Sequence, residues 1–474
     1  MSDAIVRRLL GTAPYLIGLL LTGCGQRAPA YDLIVAGGRV IDPETGLDGV
    51  RHVGIRGGAI VMISASPLTG RDTLDARGLV VSPGFIDLHQ HVHDSASLML
   101  KAQDGVTSAF EMEEGVTAVG AWYDALEGRA LINYGAAASH GRRRPGPHDR
   151  ALSDSALTEL TAGLRAELTD GALGVGMILE EHPGATPWEV LEVFKAAAAF
   201  PGTRVHVHVR ATDEPQYWLE TEEVFAAAFL TGVPLQIVHI NSSYGDDAPR
   251  LLGLVRAARA RGLDVTVEAY PYTAAMTYIE SPAFDGWRAW APERFARFEW
   301  PATGERLTRT TFERRRLEKG LVFIHSNEEP VVRGILADSL VLIASDGIGD
   351  SSGAHPRLAG SFARVLGRYV REDSSLTLMS AIRKATLLPA RALEARAAAM
   401  RRKGRVQVGM DADLAAFDPA TLGDRATYRE PRLPSAGIRF VIVNGVPVVR
   451  DGRLVAGVRP GLAIRGPRRP SQPR

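Results

Sequence analysis

Short apolar runs alternate with longer amphipathic segments through the middle of the chain. The runs at 205–209, 235–240, 265–269 and 340–344 are rich in Val, Ile and Leu, which is typical of buried strands. Segments with helical spacing of their apolar residues separate these runs. Strands that alternate with helices indicate βαβ units and a parallel sheet. The length of the pattern, which covers 81–400, predicts an α/β fold built on a (β/α)8 TIM-like barrel.

The two ends of the chain carry a different pattern of short strands and tight turns. Residues 31–80 contain short apolar runs broken by paired glycines, and 401–466 ends in a hairpin signal at Asn444-Gly445. We therefore predict one small β domain built from both chain ends. The stretch of about 283–318, rich in Arg, Trp, Glu and Phe, is interpreted as an insertion or lid. The tail at 467–474 is predicted to be disordered.

The first residues resemble an export signal rather than part of a fold. Arg7 and Arg8 precede an apolar run, 9–21, that is shorter than the roughly 20 residues needed to span a bilayer. Cys24, the only cysteine in the chain, follows directly as in a bacterial lipoprotein signal. We expect residues 1–30 to be such a signal with a linker, and Cys24 to carry the lipid that anchors an exported protein to a membrane surface of the bacterial cell envelope, on its periplasmic side. A plain secretory signal with an incidental cysteine is the alternative.

Composition and charge exclude several classes of protein. Hydrophobic residues make up 45% of the chain and charged residues 23%, which is ordinary for a globular protein and excludes a collagen-like, mainly disordered or polytopic membrane chain. The net charge of +1 gives no support for nucleic-acid binding. A single cysteine excludes an internal disulfide and a cysteine-rich zinc motif. No glycine-rich phosphate loop follows an early strand, so an oxidoreductase with a dinucleotide fold is disfavoured.

Histidines and an aspartate stand at the ends of several predicted strands. The run 84–88 leads into His89 and His91, which are two residues apart and therefore point to the same side. Because the carboxyl ends of barrel strands meet at one mouth, later strand ends should bring their polar residues to the same place. Nitrogen and oxygen ligands in such a cluster are typical of a catalytic zinc site. The later candidates are His208, His239 and Asp346.

These residues and their surroundings resemble the amidohydrolase superfamily of metal-dependent hydrolases. Within it, the chain is most similar to the N-acyl-D-amino-acid deacylases, or D-aminoacylases, over roughly 31–466. The resemblance implies a zinc-dependent enzyme, with one or two ions, that hydrolyses carbon–nitrogen bonds other than peptide bonds. The strings that carry it are Gly84 to His91, His208-Val209-Arg210, Tyr270-Pro271-Tyr272-Thr273, Ser345-Asp346-Gly347 and His355-Pro356-Arg357.

Two family features are missing from this sequence. Many amidohydrolases bridge two metals with a carbamylated lysine, but 171–180 contains no lysine. D-aminoacylases use a cysteine after an early strand, where this chain has Glu111, Glu113 and Glu114. A carboxylate is therefore expected to replace the thiolate. Matching by length favours Glu114, whereas strand parity favours Glu113, which we prefer as the metal ligand.

The resemblance also implies roles around the metal. Asp346 is expected to act as the general base and to touch the metal, while His89, His91, Glu113, His208 and His239 hold it. Arg357 is expected to bind the substrate carboxylate, and the Tyr272 hydroxyl is a second substrate contact. The run Arg142 to Arg144 either lines a pocket for an acidic side chain or is solvated.

The function predicted from these observations is hydrolysis of a linear amide in a small molecule, namely an N-acyl-D-amino acid. A cyclic-amide hydrolase similar to dihydropyrimidinase or dihydroorotase, or an isoaspartyl-dipeptide hydrolase, is the alternative within the superfamily. A lipid-anchored binding protein without turnover is a third possibility. The preference for D over L substrates rests on the resemblance alone, and the oligomeric state stays open.

Overall fold

A computed structural model describes residues 30–210 and 216–468, except for the side chains of 216 and 217. Its centre is a near-closed barrel of eight parallel strands that lie side by side in chain order, which confirms the predicted fold. The strands lie in chain order because a helical segment connects each strand to the next parallel strand. The barrel strands are β1 (Phe85–Asp87), β2 (Val106–Val116), β3 (Asn133–Ser139), β4 (Gly174–Ile178), β5 (Arg204–His208), β6 (Leu235–Ile237), β7 (Val265–Ala269) and β8 (Val341–Ile343).

The barrel is closed between β1 and β8 by the residues that follow these two strands. Gln90 and Gly347 form an isolated parallel bridge. The His91 N–H donates to the Gly347 carbonyl at 2.9 Å, and the Gly347 N–H donates to the His89 carbonyl at 3.3 Å. The closure therefore lies at the same end of the barrel as the two histidines.

Helices surround the barrel, and several begin at side-chain caps. Asp94, Ser153 and Thr186 each accept a hydrogen bond from a backbone N–H in the first turn of the helix that they precede. The α-helices are Ser95–Gln103, Val119–Leu126, Asp154–Thr169, Pro187–Ala198, Gln216–Thr231, Ile240–Tyr244, Ala248–Ala260, Pro292–Phe295, Arg309–Glu318, Glu329–Ala337, Arg357–Arg364, Leu378–Ala385 and Leu387–Leu393. A π-helix spans Val365–Glu372, and 3-10 helices span Gly141–Arg143, Gly245–Asp247, Pro282–Ala289 and Ala398–Arg402.

Strands from both chain ends form one nine-stranded sheet beside the barrel, as predicted. Its strands are Leu33–Asp42, Leu47–Arg56, Ala59–Ser64, Asp72–Asp75, Val80–Pro83, Leu414–Phe417, Ile438–Val443, Val446–Arg450 and Arg453–Leu454. The chain then returns to the barrel, where the Ile464 N–H donates to the Tyr134 carbonyl on β3 at 2.8 Å. The exact domain boundaries of 31–80, 81–400 and 401–466 stay predictions.

A second, four-stranded sheet interrupts the barrel between β7 and β8. It consists of Ala274–Tyr278, Leu321–His325, Phe298–Trp300 and Glu305–Arg306 in that spatial order. Aromatic side chains, among them Phe284, Trp287, Phe298 and Phe312, form its core. The predicted insertion at 283–318 is therefore the middle part of a longer insertion, because the inserted sheet begins at Ala274 and ends at His325.

Some predicted features fall on residues that the structure does not describe. Cys24 and the predicted signal as far as residue 29 lie outside the described residues, as does the tail from 469. Among the described residues, no helix is both long enough and apolar enough to cross a bilayer.

Candidate metal centre and active site

The six predicted metal ligands converge at the carboxyl end of the barrel. Each lies at the end of a strand or just after one, because parallel strands deliver their terminal residues to one mouth. Four of them, His89, Glu113, His239 and Asp346, are more than nine-tenths buried, and the other two, His91 and His208, line a cavity. The residues and their strands are His89 and His91 after β1, Glu113 on β2, His208 on β5, His239 after β6 and Asp346 after β8.

Four of these side chains form one group. The His89 and His91 Nε2 atoms are 3.1 Å apart, and they lie 3.0 and 3.1 Å from Glu113 Oε2. Asp346 Oδ1 lies 3.4 Å from His89 Nε2 and 3.3 Å from His91 Nε2. Ligands at the usual bond lengths around a tetrahedral zinc ion are about 3.3 Å from one another. The spacing of these four atoms fits such an ion.

The other carboxylate oxygen of Glu113 belongs to a second group. Glu113 Oε1 lies 2.7 Å from His239 Nε2 and 3.0 Å from His208 Nδ1. The two ring nitrogens are 3.1 Å apart. One carboxylate therefore joins two ligand groups, which is the arrangement required of a residue that bridges two metal ions.

A hydrogen-bond acceptor holds the far ring nitrogen of each histidine. When that nitrogen carries the ring's proton, the other nitrogen presents a lone pair to the metal position, as metal-binding histidines require. The four pairs are His89 Nδ1 with Glu268 Oε1 at 2.6 Å, His91 Nδ1 with Glu111 Oε2 at 3.0 Å, His208 Nε2 with Glu180 Oε2 at 3.0 Å and His239 Nδ1 with Ser243 Oγ at 3.1 Å. Glu111 thus contacts the far nitrogen of His91, while Glu113 lies between the ring nitrogens of the two histidine groups.

A local irregularity in β2 carries Glu113 to this position. The β2–β3 register shifts between Glu111 and Val116, so β2 has extra residues that bulge from the ladder. Gly115 has a φ of +71°, which an L side chain rarely adopts. A Cβ on Gly176 of β4 would lie only 2.2 Å from the Glu113 carbonyl oxygen. The absence of a side chain on β4 therefore leaves room for the Glu113 backbone.

The buried carboxylates dominate the electrostatics of the site. Burial opposes the charged form of His89, but Glu113 and Asp346 outweigh it and raise the pKa of that ring well above its usual value. Burial likewise opposes ionisation of Glu113, yet His89 and His239 hold its pKa well below the usual value. In Glu268, burial prevails and raises the pKa. Without another cation, protons on the histidines must balance the carboxylates, and a divalent metal ion can replace those protons.

Arg357 lies behind Asp346. Its Nη2 is 2.8 Å from Asp346 Oδ1, its guanidinium carbon lies 4.6 Å from the centre of the Tyr270 ring, and the residue is 1% exposed. The Tyr272 hydroxyl is equally enclosed and lies 3.5 Å from Asp424 Oδ2. Neither Arg357 nor Tyr272 is among the described residues that line the cavity. Their predicted roles as direct substrate contacts stay predictions that this conformation does not support.

A cavity of about 410 Å3 opens above the ligands and reaches under the inserted sheet. Arg142 lines it, but its guanidinium pairs with Glu114 through contacts of 2.7 Å to each carboxylate oxygen. Arg144 also has an acidic partner, Glu189, at 2.8 Å. Arg297 differs, because it lines the cavity as an exposed residue and no described residue forms an ion pair or hydrogen bond with its guanidinium.

Several functional positions were absent from the sequence prediction. Glu268 lies inside the apolar run of β7, where a buried carboxylate requires a partner, and this signal was available in the sequence. Glu180 follows β4, and the sequence assigns it no role beside His208. The position of Arg297 at the cavity could not be predicted from the sequence around it, because that position depends on how the insertion packs against the mouth of the barrel.

Comparison with known proteins gives one consistent result. The amidohydrolase family matches residues 225–449. The chain is 32% identical to an N-acyl-D-glutamate deacylase of Alcaligenes xylosoxydans xylosoxydans, over 92% of this chain and 96% of that protein. It is 30% identical to a D-aminoacylase of the same organism, over 89% and 95% respectively. The structure of an N-acyl-D-glutamate deacylase from Bordetella bronchiseptica, complexed with zinc and a phosphonate mimic of the tetrahedral intermediate, superposes with a TM-score of 0.80 at 28% identity, over 92% of this chain and all of that one.

The bridging position of Glu113 can be tested by substitution. We expect Glu113→Gln to weaken zinc binding by more than about 10-fold, because it removes the charge that joins both ligand groups. Glu114→Gln is the matched control: its carboxylate pairs with Arg142, so zinc binding should stay within about threefold of the unchanged protein. Zinc titration of the metal-free proteins, with metal content after dialysis, measures both. Loss of zinc from the Glu114 variant alone would contradict the assignment.

Proposed function

The chain belongs to the amidohydrolase family, and from that premise we propose that it is a zinc-dependent enzyme that removes the acyl group from an N-acyl-D-amino acid. The observation that carries the proposal is the Glu113 carboxylate, which joins two histidine groups at the floor of a cavity whose wall includes Asp346. Relatives that cover nearly the whole chain are deacylases of this kind. The preference for D substrates rests on those relatives.

The residues that would hold zinc are those whose atoms already face one another. They are His89, His91, His208, His239, Glu113 and Asp346. Zinc in such a site acts as a Lewis acid that polarises the amide carbonyl and acidifies water. The outer partners Glu268, Glu111 and Glu180 hold the rings in orientation.

Asp346 is placed to move the proton. Burial opposes its ionisation, but Arg357 and His89 outweigh burial and lower the pKa of Asp346, so the carboxylate is ionised at neutral pH. It lines the cavity, and its Oδ1 lies 3.4 Å from His89 Nε2 and 3.3 Å from His91 Nε2. We assign it the proton that water loses during attack on the amide carbon, and the delivery of that proton to the departing amine nitrogen.

A substrate panel tests the reaction. Release of free amine is measured from N-acetyl-D- and N-acetyl-L-amino acids, a hydantoin and an isoaspartyl dipeptide, with added zinc and with chelator. We expect zinc-dependent release from D substrates, and we expect Asp346→Asn to lower kcat by at least about 100-fold with at least one zinc ion still bound. Turnover of only the hydantoin or the dipeptide would replace the proposal with that activity. Full activity of the Asn variant would refute the role of Asp346.

We further propose that Arg297 binds the substrate carboxylate. It lines the cavity without an acidic partner among the described residues, whereas Arg142 is paired with Glu114, and Arg357 is paired with Asp346 and does not line the cavity. A guanidinium binds a carboxylate through two parallel hydrogen bonds. The inserted sheet would then contribute directly to substrate recognition.

Arg297→Gln should raise KM by about 10-fold or more and change kcat by less than about threefold, because the lost contact is remote from the reacting bond. Arg306→Gln is the control, since Arg306 belongs to the same insertion as Arg297, pairs with Glu299 and does not line the cavity. Steady-state kinetics on the best D substrate measure both. An unchanged KM for Arg297→Gln, together with a raised KM for Arg357→Gln, would return the role to Arg357.

Finally, we propose that the protein is exported and anchored to a membrane of the bacterial cell envelope through a lipid on Cys24. The support is the position of the sole cysteine directly after a short apolar run. Cys24→Ser should move the protein from the membrane fraction to the soluble fraction of the cell envelope, as measured by fractionation and immunoblotting. Equal membrane association of both forms would contradict a lipid on Cys24.

A further inference from the structure

A buried ionic network lies beneath Asp346. Lys101, on the helix Ser95–Gln103, places its Nζ 2.9 Å from Asp87 Oδ2 and donates a hydrogen bond to Ser345 Oγ at 2.6 Å. All three side chains are 0% exposed. Lys101 is separated from Ser345 by 244 residues along the chain, so the network joins a barrel helix to both strands at the closure.

The network holds backbone groups on both sides of the closure. Asp87 Oδ1 accepts hydrogen bonds from the Ser345 N–H at 2.9 Å and from the His89 N–H at 3.2 Å. Ser345 Oγ donates to Asp87 Oδ2 at 2.6 Å and accepts from the Gly347 N–H at 3.0 Å. Asp87 therefore fixes the Ala344–Ser345 peptide, and Ser345 fixes the Asp346–Gly347 peptide, so the chain is held on both sides of Asp346.

Asp346 has a backbone conformation that requires such support. Its φ is +52°, in the left-handed region, which is unfavourable for a residue other than glycine. A strained residue keeps that conformation only where its surroundings fix it. The consequence here is functional, because this conformation directs the Asp346 carboxylate at His89 Nε2 and His91 Nε2.

We propose that Lys101 is a positioning residue for the reaction. Its ammonium supplies the positive charge that the buried Asp87 carboxylate needs, and Asp87 with Ser345 then fixes Asp346 in its strained conformation. Lys101 touches neither the substrate cavity nor a metal ligand, so it acts only through Asp87 and Ser345. The inference rests on the proposed function, because it takes Asp346 as the proton acceptor.

A second buried lysine offers a matched control. Lys403 is 4% exposed and lies 2.5 Å from Asp413 Oδ2 and 3.1 Å from Asp411 Oδ2, at the junction between the barrel and the sheet from the chain ends. Lys101→Met and Lys403→Met each remove a buried ammonium from a carboxylate. They differ in that only Lys101 connects to the residues beside Asp346.

The experiment compares the two variants by kinetics and by spectroscopy. We expect Lys101→Met to lower kcat by about 10- to 100-fold with KM within about threefold, because the carboxylate is misplaced while substrate binding is kept. The visible spectrum of the Co2+-substituted protein reports ligand geometry without turnover, and it should change in Lys101→Met and not in Lys403→Met. Circular dichroism checks that both variants are folded.

Ser345→Ala provides a second variant if Lys101→Met does not fold, because it keeps the ion pair between Lys101 and Asp87 and removes the hydroxyl that links this pair to the Gly347 N–H. It should change the cobalt spectrum and lower kcat in the same direction. Identical spectra and equal kcat values for the Lys101 and Lys403 variants would overturn the proposal. If the unchanged protein hydrolyses none of the N-acyl amino acids, the proposed function fails, and the cobalt spectra alone decide whether Lys101 positions Asp346.

Discussion

Five carboxylates lie around the histidines at the carboxyl end of the barrel, four of them buried, and their need for compensating positive charge is the constraint on which the rest of the site depends. They are Glu111, Glu113, Glu180, Glu268 and Asp346. Among the described residues, one guanidinium, that of Arg357, pairs with any of them. Buried negative charge of this density is costly unless cations balance it. The ring nitrogens that face Glu113 have the spacing of metal ligands. A metal ion bound there would both balance the charge of the carboxylates and serve the proposed catalysis.

The fold meets this constraint through irregular backbone rather than through regular strands. A bulge in β2 carries Glu113 between the histidine groups, and the bare backbone at Gly176 leaves space for it. Asp346 has a left-handed conformation that the network of Lys101, Asp87 and Ser345 supports. In each case an irregular backbone conformation, which lowers local stability, places a carboxylate where it could bind a cation. Such strained conformations are common at functional sites.

Much of this could be predicted from the sequence, because the informative signals are local. Strand-end histidines and a parallel barrel together imply a shared mouth, and the resemblance to deacylases follows from short strings around them. Alternation along the strand predicts Glu113 rather than Glu114 as the metal ligand. The structure brings Glu113 to the histidines through a bulge, which simple alternation does not describe. Other features depend on contacts between segments that are distant along the chain, and no local pattern predicts them. They are the enclosed position of Arg357, the extent of the insertion and the contacts of Lys101 with Asp87 and Ser345.

The proposed metal centre depends on Glu113 as a ligand that both histidine groups share. The most direct measurement is a crystal structure of the zinc-loaded protein, with the metal positions located by anomalous scattering at the zinc edge. We expect zinc within about 2.0–2.2 Å of a Glu113 carboxylate oxygen, with histidine nitrogens completing its coordination. Zinc bound elsewhere, or at the histidines with the Glu113 carboxylate turned away, would contradict it.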